Sequence, residues 1–377
     1  MQIGVPRERY AGERRVALVP AHVTDLIKAG CAIAVERGAG ESSGHDDSEY
    51  IAKGATIVDD ARRDADVVLA VRAACAAGDT DPGPGREGQA VIAFLDPYEP
   101  HKMFSTYLEK KVTAFSMELI PRITRAQSMD ALSSMANLAG YRATILAAEV
   151  LPMMFPMMMT AAGTIVPARV FVMGVGVAGL QAIATAKRMG GLVSAYDIRP
   201  AVKDQVLSLG AKFVELELDT AAAEGSGGYA KGMDEEFYRK QRELMSSVVA
   251  ESDVVITTAA IPGKPSPVLV TEEMVRGMRP GSVIVDLAAE RGGNCEMTEA
   301  GKTVLKHGVT IIGPTNPASA LARTASQLYS KNITTFLLSM LADGELVVNQ
   351  EDEITAATLV TFGGDLPNTE LKGKLGV

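Results

Sequence analysis

Cysteine and histidine are scarce in this chain of 377 residues. Cysteine occurs only at Cys31, Cys75 and Cys295, with no C-x-x-C pair. The four histidines are scattered, at positions 22, 45, 101 and 307. A disulfide framework needs paired cysteines, and a structural zinc site needs clustered cysteine and histidine ligands. We therefore expect neither of them, no bound metal, and a reducing compartment.

Long apolar runs are also missing. The most apolar stretch, 151–167 (LPMMFPMMMTAAGTIVP), contains three prolines and is shorter than the roughly 20 residues that a transmembrane helix needs. We interpret this stretch as buried chain between elements. The N-terminal sequence MQIGVPRER has no apolar signal-peptide core. The chain is therefore not expected to cross a membrane itself.

Positive charge is in deficit. The chain has 37 Lys and Arg against 46 Asp and Glu, which gives a formal net charge of −9 and a pI near 5.2. This balance disfavours nucleic acid as the main partner, because nucleic-acid-binding domains are generally basic. Hydrophobic residues make up 47% and charged residues 22%, which excludes wholesale disorder. The length indicates two or three globular domains.

Strand patterns alternate with helical patterns in two successive series. The first series fills 1–125, and the second starts at Ala168. This alternation is typical of α/β proteins with mostly parallel sheets. We predict two doubly wound, Rossmann-like domains with a cleft between them, one over 1–125 plus 325–377 and the other over 140–315.

The connections between these series have their own signatures. Residues 125–150 are Ala-rich and amphipathic, which predicts a long helix linking the two domains, and 319–341 predicts a second long helix returning to the first. Residues 76–88 and 219–233 are rich in glycine, so we expect a surface loop and a mobile loop there. The tail from Ala342 is expected to be poor in strands.

The most specific motif is the glycine turn GVGVAG. An apolar strand pattern precedes it, a helical pattern follows it, and Asp197 ends the next strand at the spacing of dinucleotide-binding folds. Gly174 permits the tight turn, Gly176 lets a pyrophosphate approach the backbone, and Gly179 lets the helix pack on the strand. Asp197 would accept from the ribose hydroxyls and disfavour a 2′-phosphate. This favours NAD(H) over NADP(H), although Arg199 stands close by.

A dense polar group opens the first long helix. Its members are Arg122, Arg125, Gln127, Asp130 and Ser133. One interpretation is a capping cluster, because the helix dipole stabilises an acidic residue at a helix start. The other is a set of donors and acceptors for a nicotinamide amide and ribose. Periodicity does not choose between the two.

Further candidates follow predicted strands, where α/β domains bind ligands. They are Lys264, Asp286, Glu290 and Asn294 in the second domain and Arg15 and Arg72 in the first. Each alone is more often a surface charge than a site residue. Tyr229, in a glycine-rich loop, is either a lid residue that closes over bound nucleotide or a side chain that packs the loop onto the body.

The chain resembles a known family in several segments. It is similar to the NAD(H)-binding alpha subunit of proton-translocating NAD(P) transhydrogenases in IGVPRER, RAQSMDALSSMANLAGYRA, MMMTAAGT, VFVMGVGVAGLQAIATAKRMG, GGYAK and SVIVDLA. The similarity runs from residue 1 to about 340. It implies direct hydride transfer between NADH bound here and NADP⁺ bound on a partner subunit, with Re/Si specificity, in which the protein positions the rings and excludes water.

By this resemblance, Arg122, Gln127 and Asp130 are the catalytic residues and, with Ser133, line the nicotinamide site. Gln127 would also face the NADP(H) of the partner, and Tyr229 would be a mobile-loop tyrosine. The predicted cofactor site also includes the glycine turn and several residues near strand ends: Gly174, Gly176, Val177, Gly179, Asp197, Ile198, Arg199, Gly228, Tyr229, Ala259 and Leu287.

Alanine dehydrogenases share this fold and are the main alternative. They need an acid–base histidine where this chain has Asp96, their substrate lysine aligns with Arg72, and the aspartate of their D-x-A-x-D motif aligns with Glu290. These differences argue against pyruvate–alanine chemistry. A second alternative is a non-catalytic NAD(H)-binding module.

The resemblance also implies partners. Because the chain ends at residue 377 without membrane helices, it resembles the split form of the family, in which the membrane spans and the NADP(H) domain lie on other polypeptides. We expect a homodimer whose hydride transfer is coupled to proton movement by a separate membrane component. Its expected location is cytoplasmic, held peripherally at the inner membrane by these partner subunits.

Overall fold

The computed structural model describes residues 1–73, 86–99, 102–215, 235–261 and 263–375. The chain divides into two units, Met1–Met135 with Ala318–Val377, and Ala136–Pro317. The loop predicted at 219–233 lies outside the described residues, as does most of the loop predicted at 76–88.

The strands and helices are numbered in chain order. The strands are β1 (Gln2–Val5), β2 (Ala32–Glu36), β3 (Thr56–Val58), β4 (Val67–Arg72), β5 (Ala90–Phe94), β6 (Thr113–Ser116), β7 (Met158–Thr160), β8 (Gly163–Ile165), β9 (Arg169–Met173), β10 (Leu192–Tyr196), β11 (Lys212–Phe213), β12 (Val254–Thr257), β13 (Val283–Asp286), β14 (Thr303–Lys306), β15 (Val309–Ile312), β16 (Leu341–Ala342), β17 (Glu345–Leu346) and β18 (Leu359–Thr361). The helices are α1 (Pro20–Lys28), α2 (Asp47–Ala52), α3 (Lys102–Glu109), α4 (Ala131–Val150), α5 (Val177–Arg188), α6 (Lys203–Ser208), α7 (Glu235–Ala250), α8 (Glu272–Gly277), α9 (Ala322–Ser339), α10 (Glu353–Thr358) and α11 (Thr369–Leu375).

Each unit is built on a seven-stranded sheet. The first has the order β18-β6-β5-β4-β1-β2-β3 and the second β11-β10-β9-β12-β13-β15-β14. Among the described strand pairs of these sheets, only those of β18 with β6 and β14 with β15 are antiparallel. In each sheet the strand order reverses beside the first strand of the series, as in doubly wound folds. The predicted α/β class with two Rossmann-like units is confirmed.

Strand β9 shows why the strands are apolar on both faces. Val170 and Val172 pack into a core with Ala182 of α5, whereas Phe171 faces a second core that contains Met245 of α7. Parallel strands with both faces buried are expected to be continuously hydrophobic. The carboxyl end of the sheet is thereby held rigidly, and the loops that follow the strands start from fixed positions.

The predicted linking helix begins later than expected. Helix α4 starts at Ala131 rather than at residue 125, because Thr124–Met129 form a short 3-10 turn before it. Gly140, the weak point of the helix in the sequence, is where α4 touches α5. A Cβ on Gly140 would lie 2.0 Å from the carbonyl oxygen of Ala178, so only glycine allows this approach. Helix α9, the second predicted long helix, also begins later than expected, at Ala322 rather than at residue 319.

The C-terminal tail completes the first sheet. The sequence predicts few strands there, yet β18 pairs with β6 through Leu359 opposite Phe115 and Thr361 opposite Ala114. The Thr361 hydroxyl also donates to the carbonyl of Val112 at 2.8 Å. The tail pairs with a strand far away in sequence, which local patterns do not reveal.

The interpretation of 151–167 as buried chain is wrong. Strands β7 and β8 form a two-stranded hairpin within it, and Met157, Met159 and Val166 are 60%, 78% and 67% exposed. Only the beginning of this stretch is anchored, through the buried side chains of Leu151 and Phe155. The apolar composition of this stretch therefore does not indicate burial, because the hairpin lies outside both cores of the unit. No helix in the described regions of the chain combines the length and apolarity needed to cross a bilayer.

Candidate dinucleotide-binding site

The turn between β9 and α5 is shaped by its glycines. Gly174 has a φ of +96°, where glycine is favoured, and a Cβ there would lie 2.7 Å from the hydroxyl oxygen of Thr258. A Cβ on Gly179 would lie 1.9 Å from the carbonyl oxygen of Gly174, so the helix start packs directly on the turn. A Cβ on Gly176, in contrast, would meet nothing within 4 Å. The open side of the turn is at Gly176.

Helix α5 starts at this open side. Gly176 precedes the helix with extended backbone angles and has no side chain to bond the amide groups of the first turn, which begins at Val177. Such N–H groups, together with the positive end of the helix dipole, bind anions. The open face and the uncapped amides fit the diphosphate of a dinucleotide.

Asp197 lies just beyond β10 and is held by two neighbours. Its Oδ2 accepts from Val175 N at 2.7 Å and from Arg199 Nη2 at 2.9 Å. Its Oδ1 accepts from Arg199 N and Arg199 Nε, both at 2.9 Å. The side chains of Asp197 and Arg199 are 6% and 12% exposed. The Asp197 carboxylate therefore ties β10 to the glycine turn. Its charge is balanced by the Arg199 guanidinium, a pairing that the closeness of the two residues in the sequence does not by itself establish.

The loops after β12 and β13 are joined by a buried polar network. Asp286 is fully buried and accepts from the Thr257 hydroxyl at 2.9 Å and from Asn294 N at 2.8 Å. It also accepts from Cys295 N and from the Thr298 hydroxyl. Asp286 and Asn294, predicted as possible cleft residues, thus hold the backbone in place. Burial raises the pKa of the Cys295 thiol to about 11, so this cysteine stays protonated at neutral pH.

Two predicted cofactor residues are hydrogen-bonded to residues of this network. Ala259 follows β12, and its N–H donates to Asn294 Oδ1 at 3.0 Å. Leu287 follows β13, and its N–H donates to the Thr257 carbonyl at 2.9 Å. Both residues, with Ile198 after β10, are partly buried and lie at strand ends of the second sheet. The structure therefore brings the glycine turn, Asp197 and these residues to one edge of one sheet.

The polar group at the start of α4 lies in the first unit. Asp130 Oδ1 accepts from Ser133 N at 2.8 Å, and Oδ2 accepts from the Ser133 hydroxyl at 2.6 Å. This is a helix-capping arrangement, one of the two interpretations that the sequence allows. Arg125 pairs with Asp352 at 2.6 Å. Arg122 and Gln127 are exposed.

The remaining candidates fall in different places. In the second unit, Lys264 is exposed in a loop and Glu290 is exposed in the short 3-10 helix Ala289–Arg291. Gly228 and Tyr229 lie outside the described residues. Asp96, in the first unit, has a φ of +50°, and its N–H donates to Glu118 at 2.8 Å. Among the described residues, no cluster of three or more His, Cys, Asp and Glu side chains could hold a metal ion.

Charged side chains form a cluster in the first unit, and of these the sequence predicts only Arg15 and Arg72 as candidate site residues. Arg15 donates to both carboxylate oxygens of Glu13, at 2.7 and 2.6 Å, and both side chains are almost completely buried. Glu8 accepts from Val71 N at 2.6 Å and Arg72 N at 3.1 Å. Desolvation and the nearby Glu13 charge raise the pKa of Glu8 to about 7. The alternating charges of VPRER and GERR after β1 were the available signal, but they do not reveal which pairs form.

The comparisons with known proteins cover nearly the whole chain. The family models of the alanine dehydrogenase/PNT N-terminal and C-terminal domains match residues 4–139 and 143–369. A protein of Rhodospirillum rubrum, named as the first of the parts that make up an NAD(P) transhydrogenase subunit alpha, is 48% identical over 382 residues, which cover 99% of this chain and 100% of that protein.

Two further relatives bear on the fold and on the alternative function. A solved transhydrogenase structure from Sinorhizobium meliloti is 48% identical, with a TM-score of 0.87 and coverage of 97% of this chain and 100% of that chain. The alanine dehydrogenase of Bacillus subtilis strain 168 is 28% identical over 397 residues, covering 100% of this chain and 95% of that protein. The chain is thus markedly more similar to the two transhydrogenase proteins, at 48% identity, than to this alanine dehydrogenase, at 28%.

Proposed function

Because the chain belongs to the alanine dehydrogenase/PNT family, we propose that it is the NAD(H)-binding subunit of a proton-translocating NAD(P) transhydrogenase. The observation that carries this proposal is the open glycine turn at Gly176, with uncapped amides at the start of α5. A diphosphate fits there, and Asp197 stands at the end of the next strand, where a ribose is bound in such folds. The site residues are those predicted from the sequence.

In this reaction the protein positions the two nicotinamide rings and does not transfer a proton. Bound NADH supplies a hydride, which passes directly to NADP⁺ on a partner subunit. The glycine turn holds the diphosphate, Asp197 the adenosine ribose, and Ala259 and Leu287 flank the nucleotide at the strand ends. Arg122, Gln127, Asp130 and Ser133 orient the nicotinamide and its ribose, and Gln127 also faces the second nicotinamide. Because reacting atoms must lie about 3–3.5 Å apart, small displacements cost much of the rate.

The partners follow from the same proposal. The NADP(H)-binding domain and the membrane spans lie on other subunits, which couple hydride transfer to proton movement and hold this subunit at the cytoplasmic face of the inner membrane. The name of the relative in Rhodospirillum rubrum, which describes one piece of a divided subunit alpha, supports such an arrangement.

The β7–β8 hairpin supports a homodimer. No charged residue occurs between Glu149 and Arg169, and Met157, Met159 and Val166 are the most exposed large hydrophobic side chains of this segment. Within the described residues, no third strand pairs with the hairpin. Since the chain carries a net charge of −9, an uncharged surface is where a second copy approaches with least repulsion. We assign this surface to contact with a second copy.

Light scattering after size exclusion tests this assignment. The wild-type chain should elute as a dimer, and Met159→Asp together with Val166→Asp should yield folded monomers. Leu305→Asp is the matched control, because Leu305 is 70% exposed but lies on β14. Dimers that survive the double substitution contradict the assignment.

Reconstitution tests the catalytic proposal. The purified chain should exchange hydride between NADH and an NADP⁺ analogue only when its cognate NADP(H)-binding component is added. The same preparation should not reduce NAD⁺ with L-alanine. Turnover of L-alanine without a partner would instead support the dehydrogenase alternative. Tight NADH binding without hydride exchange in the complete complex would support the non-catalytic module.

A further inference from the structure

The carboxylate of Asp197 has no acceptor position left for a ribose. Its four donors are Val175 N, Arg199 N, Arg199 Nε and Arg199 Nη2, two on each oxygen. A carboxylate offers about four acceptor positions in all. A ribose hydroxyl that donates to Asp197 must therefore displace one of these donors.

Only the Arg199 side chain can leave without moving the backbone. Val175 N belongs to the glycine turn, and Arg199 N lies two residues from Asp197 in the chain. The guanidinium, in contrast, takes one position on Oδ1 through Nε and one on Oδ2 through Nη2. Its departure opens one position on each oxygen, which matches the two hydroxyls of a ribose. The side chain is 12% exposed, so it has a route to solvent.

We propose that Arg199 is a specificity-determining residue that competes with the adenosine ribose for Asp197. The proposal rests on the NAD(H) site proposed above. Without nucleotide, the guanidinium occupies the carboxylate; on binding, the ribose displaces it. The displaced guanidinium stays beside the 2′ position, because its backbone is anchored two residues from Asp197. There it attracts a 2′-phosphate, which the carboxylate alone would repel.

This arrangement has opposite consequences for the two nucleotides. Loss of the guanidinium removes a competitor, so NADH should bind about five- to tenfold more tightly, since charge-assisted bonds no longer have to be exchanged for neutral ones. The same loss leaves Asp197 uncompensated, so NADPH should bind about tenfold more weakly or worse. A purely structural role for Arg199 would weaken both nucleotides together.

Two substitutions separate competition from charge. Arg199→Met keeps an unbranched apolar stem and removes every donor, so it should produce both effects. Arg199→Lys keeps the positive charge but cannot bond both carboxylate oxygens through a planar fork. It should therefore tighten NADH slightly and leave NADPH close to wild type. Arg276→Met is the matched control, because Arg276 pairs with Glu272 on the exposed side of helix α8.

The measurement is the Kd of NADH and of NADPH for each purified full-length variant, with thermal unfolding as the check on folding. A ratio of NADPH to NADH Kd that rises about 50-fold or more in Arg199→Met supports the proposal, since the two opposite effects multiply. An unchanged ratio, or equal losses for both nucleotides, overturns it. If the wild-type chain binds no NADH at all, the proposed function itself fails, which is a distinct result.

A second measurement needs no substitution in the protein that is titrated. The ¹⁵N resonance of Arg199 Nε in the wild-type chain can be assigned with the help of Arg199→Lys. When NADH saturates the protein, its chemical shift should change from the value of a hydrogen-bonded Nε to that of a solvent-exposed one. A resonance that keeps its hydrogen-bonded position at saturation shows that the guanidinium stays on Asp197, and overturns the proposal.

Discussion

The side-chain amide of Asn294 pairs with the backbone of Ala259 in both directions. Asn294 Nδ2 donates to the Ala259 carbonyl at 2.9 Å, and Asn294 Oδ1 accepts from Ala259 N at 3.0 Å. Nδ2 also donates to the Pro267 carbonyl at 2.8 Å, and Asn294 has no exposed surface. One amide thus holds the chain after β12 at two points.

Replacing Asn294 should therefore loosen the loop that carries Ala259. Asn294→Ala leaves buried backbone groups without partners, and we expect a loss of about 1–3 kcal/mol in the free energy of unfolding. NADH affinity should fall as well, because Ala259 is a proposed cofactor residue. Denaturant unfolding and NADH titration check both. Gln350→Ala, an exposed amide outside this network, is the control, and equal stability of the two variants would contradict this prediction.

Gly176→Ala should weaken nucleotide binding without harming the fold. An alanine methyl there meets no protein atom within 4 Å, and the backbone angles suit any residue. The methyl would, however, occupy the side on which the diphosphate approaches. We expect NADH Kd to rise about 10- to 100-fold, because relieving such an overlap costs about 1–3 kcal/mol, with the unfolding temperature nearly unchanged.

Gly373→Ala is the matched control for this change. A Cβ at Gly373 also meets nothing within 4 Å, and its φ lies outside the left-handed region, but it lies in α11 of the first unit. NADH affinity should stay at the wild-type value, and stability should not fall, because alanine is a better helix former than glycine. Unimpaired NADH binding by Gly176→Ala would place the diphosphate elsewhere.

Asp130→Asn separates the two interpretations of the polar group. Asparagine keeps an acceptor for Ser133 N and is as good a helix cap as aspartate. Stability should therefore stay within about 0.5 kcal/mol of wild type, while the hydride-transfer step of the reconstituted complex should slow, because the charged acceptor is lost. Asp46→Asn, which changes the cap of α2, is the control. Equal hydride-transfer rates in Asp130→Asn and wild type would leave capping as the whole role of Asp130.

Gln127→Asn tests orientation of the nicotinamides. The substitution keeps the amide but retracts it by one methylene, and a small misplacement can cost about 100-fold in rate. We expect a large loss in the hydride-transfer step with NADH affinity little changed, whereas Gln205→Asn, at an exposed position of helix α6, should have no effect. The transfer step should also be nearly flat between mildly acidic and mildly basic pH, because no group titrates in it. A bell-shaped profile would indicate an acid or base in the site.

Glu8 should make stability depend on pH. Its pKa is raised from 4.5 to about 7 in the folded chain, so the folded state keeps a proton that the unfolded state loses. The corresponding stabilisation is fully present below pH 4.5 and is lost as the pH rises through 7. Relative to Glu8→Gln, wild type should therefore lose about 1–3 kcal/mol of unfolding free energy between about pH 4 and 8.

Denaturant unfolding at several pH values measures this difference. Glu251→Gln is the control, because Glu251 is 70% exposed and pairs only at the surface with Arg169. Its difference from wild type should not vary with pH in this range. A wild-type chain that gains stability over Glu8→Gln as the pH rises would mean that the hydrogen bonds from Val71 and Arg72 keep Glu8 ionised.

The features that the sequence alone determined are those set by neighbours in the chain. The apolar strand before Gly174, the helix after Gly179 and the position of Asp197 depend on local periodicity and on the steric freedom of glycine, so they can be read from a short window. The α/β class follows from the same alternation repeated along the chain. The family resemblance rests on the same local segments.

Only the tertiary structure decided which side chains meet. Arg199 could face solvent or Asp197, and Asp286 could line a cleft or anchor a loop; packing placed both against buried partners, where an unpaired charge would be too costly. The exposure of Met159 and the pairing of β18 with β6 likewise depend on how distant segments pack. Composition near these residues is compatible with either outcome, because burial is a property of the whole fold.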